Sequence, residues 1–294
     1  MKSFVQILFW ILFHSNYIHV LAQNNLRDPA TRIIKDQIET KNNRPIIYTF
    51  YKRKTSTSKS KLDVNDIKDE QLQVWVDLWK EAGWEPRILT LDDAERHPDF
   101  EKYNHKIRLN AFNGYYDYLC FMRWLAMDAQ GHGGWMCDFD VIPMGITTDE
   151  GRSVHNNGRF TVYERFVPSM ASGSAAEWNR MTRLMMDLAS ENSEHLPRVT
   201  DMEILRYIYK RNPDIYIQQG KVMNGFPYKE KNVINCNSIK WANVAHLSHV
   251  YTNKAIASDL VTYTGTKNYN VEELRPGLAR EMFQNWKKQC LGIV

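Results

Sequence analysis

Residues 133–143 read GGWMCDFDVIP. Two aspartates, Asp138 and Asp140, stand one residue apart inside an otherwise apolar run that Pro143 ends. A buried carboxylate without a partner is costly and tends to take up a proton, so two together call for a cation. On a regular strand, side chains at i and i+2 lie on the same side. The pattern therefore predicts a strand over WMCDFDVIP whose two acids converge near its C-terminal end. In open α/β sheets that edge is where ligands bind. Two hard oxygen donors suit Mn²⁺ or Mg²⁺, ions that keep positions open for substrate phosphates. Gly133 and Gly134 would let backbone or substrate approach where a side chain would block. The plainer alternative is a surface turn with both aspartates in water.

The flanking sequence sets the class. RPIIYTFYK (Arg44 to Lys52) is β-branched and aromatic and reads as a first strand. DEQLQVWVDLWKEAGW places Leu72, Trp75, Val76, Trp79 and Ala82 at helical spacing, with Gly83 where a C-terminal cap belongs. EPRILTLDD (Glu85 to Asp93) reads as a second strand, so a parallel strand–helix–strand unit is expected. Tyr115 to Gln130 is apolar on nearly every face and predicts a buried helix, broken by Gly131, Gly133 and Gly134. GRFTVYERFVP predicts a further strand. SAAE (Ser174 to Glu177) and TDME (Thr200 to Glu203) have capping-box spacing and open helices running to about Ala189 and Lys210. NVAHLSHVYT reads as strand or loop, and ELRPGLAREMFQNWKKQC as a terminal helix.

RWLAMDAQGHGGWMCDFDVIP, Arg123 to Pro143, resembles the R-x-x-x-L-x-x-x-G-G-x-x-x-D-x-D signature of sugar-transferring enzymes with a GT-A fold. It is most similar to the DXD-containing glycosyltransferase family 32. The order of elements extends the resemblance from Pro45 to about Tyr251. It implies one α/β domain over 44–294, GT-A-like and Rossmann-like, with a mixed, mostly parallel sheet flanked by helices. It also implies a nucleotide-diphosphate sugar as donor and Mn²⁺ or Mg²⁺ as cofactor. Carried over by position, Asp138 would contact the ribose and help hold the metal, Asp140 would bind the metal, and Arg123 would reach the donor sugar. An ordinary alternative for Arg123 is an ion pair with Asp117 or Asp128 on its own helix. His246 and His249 in AHLSH are the candidates to complete the metal site, since imidazole is a sound ligand for Mn²⁺. Tyr51 is the candidate to stack on the nucleobase, with a core role as the alternative. Three departures are visible: the GHGG segment is longer than usual, and Cys120 stands where many members have an aspartate. Third, no motif residue marks the stacking aromatic.

The N-terminal MKSFVQILFWILFHSNYIHVLAQNN has a basic start, a short apolar run, and Val20 and Ala22 at the −3 and −1 positions of a cleavage site. Residues 1–22 are thus expected to be a signal peptide, or else an uncleaved signal anchor, with 23–43 a lead-in. The expected location is the secretory pathway, in the Golgi or endoplasmic-reticulum lumen, or outside the cell. A membrane enters only if the signal stays uncleaved. A net charge of +4 does not suggest nucleic-acid binding, and the basic run YKRKTSTSKSK (Tyr51 to Lys61) reads as a solvated loop or an anion-binding lid. Of four cysteines, Cys120 and Cys137 read as small core residues, while Cys236 and Cys290 can pair in an oxidising compartment.

The expected activity is transfer of a hexose-type sugar from a nucleotide diphosphate to an acceptor hydroxyl on a carbohydrate, lipid or protein. Retention of configuration is what the resemblance implies. Glu164, Asp201 and Glu203 are polar positions bordering apolar segments, and none is singled out as a base. Two alternatives stand beside this reading. One is a secreted module that binds sugars or nucleotide sugars without turnover. The other is a phosphotransferase of the haloacid-dehalogenase type, which places its D-x-D on a first strand.

Overall fold

The computed structural model describes residues 44–52, 64–191, 196–262 and 270–293. The expected signal segment 1–22, the lead-in 23–43 and residues 53–61 of the basic run lie outside these. Strand β1 (Ile46–Phe50), helix α1 (Val64–Glu81) and β2 (Glu85–Leu89) form the parallel strand–helix–strand unit. Trp75 and Trp79 of α1 are fully buried, and Gly83, at φ +88°, carries the chain out of the helix. β2 stops earlier than its apolar pattern suggests. The Thr90 amide donates to the Asp93 carboxylate at 2.7 Å, opening the short helix α2 (Leu91–Glu95) instead. Helix α3 (Phe100–Asn110) follows, and then the expected buried helix α4 (Tyr115–Asp128).

Positive φ at Gly131, Gly133 and Gly134 turns the chain into β3 (Gly134–Cys137). Here one expectation needs correcting. WMCDFDVIP is not one strand: β3 ends at Cys137, and the Val141 amide donates to the Asp138 carbonyl at 3.0 Å, closing a turn. Strand β4 (Val141–Pro143) then enters a different sheet. The two acids sit on the corner between two sheets, so their convergence comes from a turn rather than from the pleat.

Helix α5 (Thr148–Arg152), capped by the Thr147 side chain, precedes the next strands. GRFTVYERFVP is a hairpin, β5 (Thr161–Glu164) and β6 (Val167–Gly173), reversing at Arg165 and Phe166 with Phe166 at φ +59°. Neither residue is a glycine or proline, so no usual turn signal marks it. Helices α6 (Ala175–Ser190) and α7 (Asp201–Arg211) are capped by Ser174 and Thr200, whose hydroxyls accept from Glu177 and Glu203 amides. Both boxes are half made, because each glutamate turns to an arginine one turn on, Arg180 or Arg206. Then come β7 (Ile217–Gln218), β8 (Val222–Asn224), the hairpin β9 (Tyr228–Glu230) and β10 (Val233–Ile234), and β11 (Val244–His246). AHLSH thus resolves into the end of a strand and the start of helix α8 (His249–Ala257), capped by Ser248. The terminal helix α9 (Val271–Trp286) ends in a π-helical turn at Lys287–Leu291. There Cys290 forms a disulfide with Cys236.

The main sheet has the order β2-β1-β3-β6-β5-β7, and its pairings make five strands run one way with β6 alone opposed. Alternation along its strands splits the core. Tyr48, Met136, Val162 and Ala171 face α2, α3, α4, α6 and α7. Ile47, Trp135, Tyr163 and Met170 face the tryptophans of α1 and the small sheet β4-β11-β8. That small sheet is buried on both sides: Val141, Val222 and Val244 look toward the main sheet, and Ile142, Met223 and Ala245 toward α9. Among the described residues, no helix is long and apolar enough to cross a membrane.

Candidate metal centre

The main sheet reverses its order of growth between β1 and β3, the place where α/β sheets open a crevice at the carboxyl ends of their strands. Asp138 directly follows β3 and Glu164 ends β5, a parallel strand on the same edge. The Asp138 amide donates to the Ser169 carbonyl at 2.8 Å, fixing the turn to β6. His246 reaches the corner from β11, paired with Val141 next to Asp140. One ligand atom each from Asp138, Asp140 and His246 lie within 4.8 Å of one another. The Nε2 of His246 is 3.6 Å from Asp140 Oδ1, while its Nδ1 is 2.8 Å from Glu164 Oε2. The Ser169 hydroxyl donates to that same Glu164 oxygen.

Two guanidiniums flank the acids. Arg123 of α4 donates to Asp138 from one terminal nitrogen and to Asp201 of α7 from the other. The alternative pairings for Arg123 are thus corrected: Asp117 accepts from the Asn113 amide, and Asp128 pairs with His97 and Asn179. Arg275 of α9 lies 3.4 Å from Asp140 Oδ2. Burial pushes the Asp138 carboxyl up to about 6, with Asp140 adding to the rise and Arg123 and His246 opposing it. Burial alone would depress His246, but Asp140 and Glu164 outweigh it and lift the imidazole to about 9. At Asp138 burial is the main cause and at His246 the neighbouring acids are; a divalent cation would offset both the buried charge of the one and the acidic surroundings of the other. The donor set of two carboxylate oxygens and one imidazole nitrogen fits Mn²⁺ well. A carboxylate behind the histidine is the usual support for such a ligand.

The remaining expected site residues are divided. Tyr51, one residue beyond β1, reaches the corner: its ring packs edge-on against Phe139 at 5.7 Å, and its hydroxyl donates to Asp69. His249 does not join His246. Its side chain is 54% exposed and lies 3.3 Å from Glu272. Gly133 and Gly134 stand at the opposite end of β3 from Asp138. A Cβ on Gly133 would lie 2.5 Å from backbone atoms of Gly173, Ser174 and Ala175, so this glycine serves the packing of β3 on the start of α6. Glu203 pairs with Arg206 away from the cluster.

Arg275, Ser169 and the supporting role of Glu164 were not legible in the sequence. Arg275 sits inside a helix with ordinary charge patterning, and only the fold brings α9 to the D-F-D corner. The chain belongs to the family described as a domain of unknown function (DUF8765), whose model matches residues 37–217. No curated protein matches the chain. The matched segment carries Arg123, Asp138, Asp140, Glu164 and Asp201, while His246 and Arg275 come from the sequence beyond it.

Proposed function

We propose that this protein is a metal-dependent glycosyltransferase of GT-A type, moving a hexose-type sugar from a nucleotide-diphosphate donor to an acceptor hydroxyl. The observation that carries the reading is the convergence of Asp138, Asp140 and His246 at the crevice edge of a mostly parallel sheet. When bound, a divalent cation supplies charge neutralisation at a leaving diphosphate. Asp138, Asp140 and His246 would hold it, with Glu164 keeping the His246 ring in place. Arg123, fixed between Asp138 and Asp201, offers a rigid guanidinium edge for orienting the donor. Tyr51 and Phe139 form an aromatic wall beside the corner, suited to a nucleobase.

Every carboxylate of the cluster is engaged by an arginine, a histidine or a hydroxyl. None stands apart as a base, which agrees with retaining transfer. The same observation favours, as the second reading, a module that binds the donor without turnover. The phosphotransferase alternative loses support, since the acidic pair follows the third strand in chain order. The Cys236–Cys290 disulfide supports a location in the secretory pathway or outside the cell.

The test is a thermal-shift screen of UDP- and GDP-sugars with and without Mn²⁺, since a ligand of the native state raises apparent stability. A donor that stabilises the wild type only with Mn²⁺, and not the Asp140→Asn variant, is expected. Hydrolysis of the selected donor then separates transferase from binding module. Stabilisation independent of both Mn²⁺ and Asp140 would overturn the reading.

A further inference from the structure

Arg275 is a buried cation whose hydrogen-bond donors are poorly satisfied. It is 5% exposed and projects from α9 toward the D-F-D corner. Its terminal nitrogens make two loose ion pairs, 3.4 Å to Asp140 Oδ2 and 3.7 Å to Glu272 Oε2, and neither contact is a hydrogen bond. Its Nε is buried with no partner. The guanidinium carbon lies 6.0 Å from the centre of the Phe139 ring, which covers one face. Arg123, the other guanidinium of the site, also has a buried Nε without a partner, but both its terminal nitrogens donate short hydrogen bonds to carboxylates.

A guanidinium carries five N–H donors in a planar fork. Burying one without hydrogen bonds is costly, and the cost is recovered when an anion of matching geometry arrives. Asp140 answers little of it, for only its Oδ2 lies near Arg275, at 3.4 Å, while its Oδ1 faces His246. We infer that Arg275 is an anion-binding residue of this site, receiving the diphosphate of the ligand. The inference rests on the metal-site reading above and adds to it the residue that meets the phosphates. It also gives the C-terminal helix, which lies beyond residues 37–217, a direct part in binding. Arginine suits the task because its fork meets two phosphate oxygens at once, which a lysine cannot do.

The experiment uses the full chain, Mn²⁺ alone and then inorganic pyrophosphate added to the Mn²⁺-saturated protein, both by calorimetry. Wild type is expected to bind both. Arg275→Gln should bind Mn²⁺ as well as wild type or better, since a positive charge beside the site is removed, and should lose roughly ten- to hundredfold in pyrophosphate affinity. Arg275→Lys should fall between the two and gives the answer if the glutamine variant does not fold. Unchanged pyrophosphate affinity in either folded variant would overturn the inference, as would a wild type that binds Mn²⁺ but no pyrophosphate. A wild type that binds pyrophosphate through Arg275 yet turns over no sugar nucleotide would sink the transferase reading and leave the Arg275 assignment standing.

Discussion

Glu164 Oε2 lies 2.8 Å from His246 Nδ1, on the side of the imidazole opposite Asp140. This contact orients the ring so that Nε2 faces the two aspartates. Glu164→Gln keeps the shape and removes the charge that holds the ring. We expect it to weaken Mn²⁺ binding by roughly ten- to hundredfold, the usual effect of removing such support from a ligand, with the melting temperature changed far less than by loss of a core residue. Mn²⁺ titration followed by electron paramagnetic resonance reads the affinity. An affinity equal to wild type would remove His246 from the ligand set.

Arg123 bridges Asp138 and Asp201, and both the arginine and Asp201 are buried. Removing the Asp201 charge leaves Arg123 paired with Asp138 alone and weakens one charge-assisted hydrogen bond in a buried setting, a loss of about 2 kcal/mol. Asp201→Asn should therefore lower the unfolding free energy by about 2 kcal/mol in urea. Activity with the donor selected in the screen should fall as well, because Arg123 loses the partner that fixes its plane. If Asp201 were only a first-turn helix acid, its loss would cost no more than about 1 kcal/mol, and such a value would rule out the bridge.

What the sequence revealed of the fold and what it hid have separate physical causes. The tryptophans of α1 and the unbroken apolar face of α4 are signals spread over many residues, so those helices and the parallel unit β1-α1-β2 were readable. The hairpin β5-β6 turns at Arg165 and Phe166, residues that carry no turn preference, so its sequence looks like one strand. WMCDFDVIP is apolar on both sides of the acids because each half is buried in its own sheet. A run buried on both faces does not reveal where the chain changes direction. The acids were legible as a pair because two charges in such a run are conspicuous. Glu164 and Arg275 were not, for they sit about 25 and 135 residues beyond Asp140 and meet it only through tertiary packing.

Gly133 tests whether the Gly-Gly pair serves packing or ligand approach. Its φ of +69° is unfavourable for an L side chain, and an added methyl would press on the backbone of Gly173, Ser174 and Ala175. Gly133→Ala should destabilise the fold by about 3 kcal/mol, at the upper end of ordinary substitutions. The Mn²⁺ affinity of whatever remains folded should be unchanged, since β3 separates Gly133 from Asp138. A variant of normal stability with a weakened donor affinity would reverse the assignment and return this glycine to the site.

Glu177 supplies a pH-dependent test of the frame behind the site. Its carboxylate accepts from Arg180 and from the Phe160 amide, tying the first turn of α6 to the start of β5. The Arg180 hydrogen bond, opposed by burial and joined by the Phe160 amide, holds this carboxyl below the ordinary value of 4.5. A carboxyl depressed in the folded state binds protons more readily in the unfolded chain, so stability falls as pH falls. The contribution is complete above 4.5, declines as the pH drops below it, and is gone once the pH passes under the depressed folded value. Glu177→Gln removes this one titration. Urea unfolding from pH 6 to pH 3 should show a shallower acid-side loss in the variant than in wild type, together with a lower stability at pH 6. Parallel curves over that range would mean that Glu177 does not couple α6 to β5.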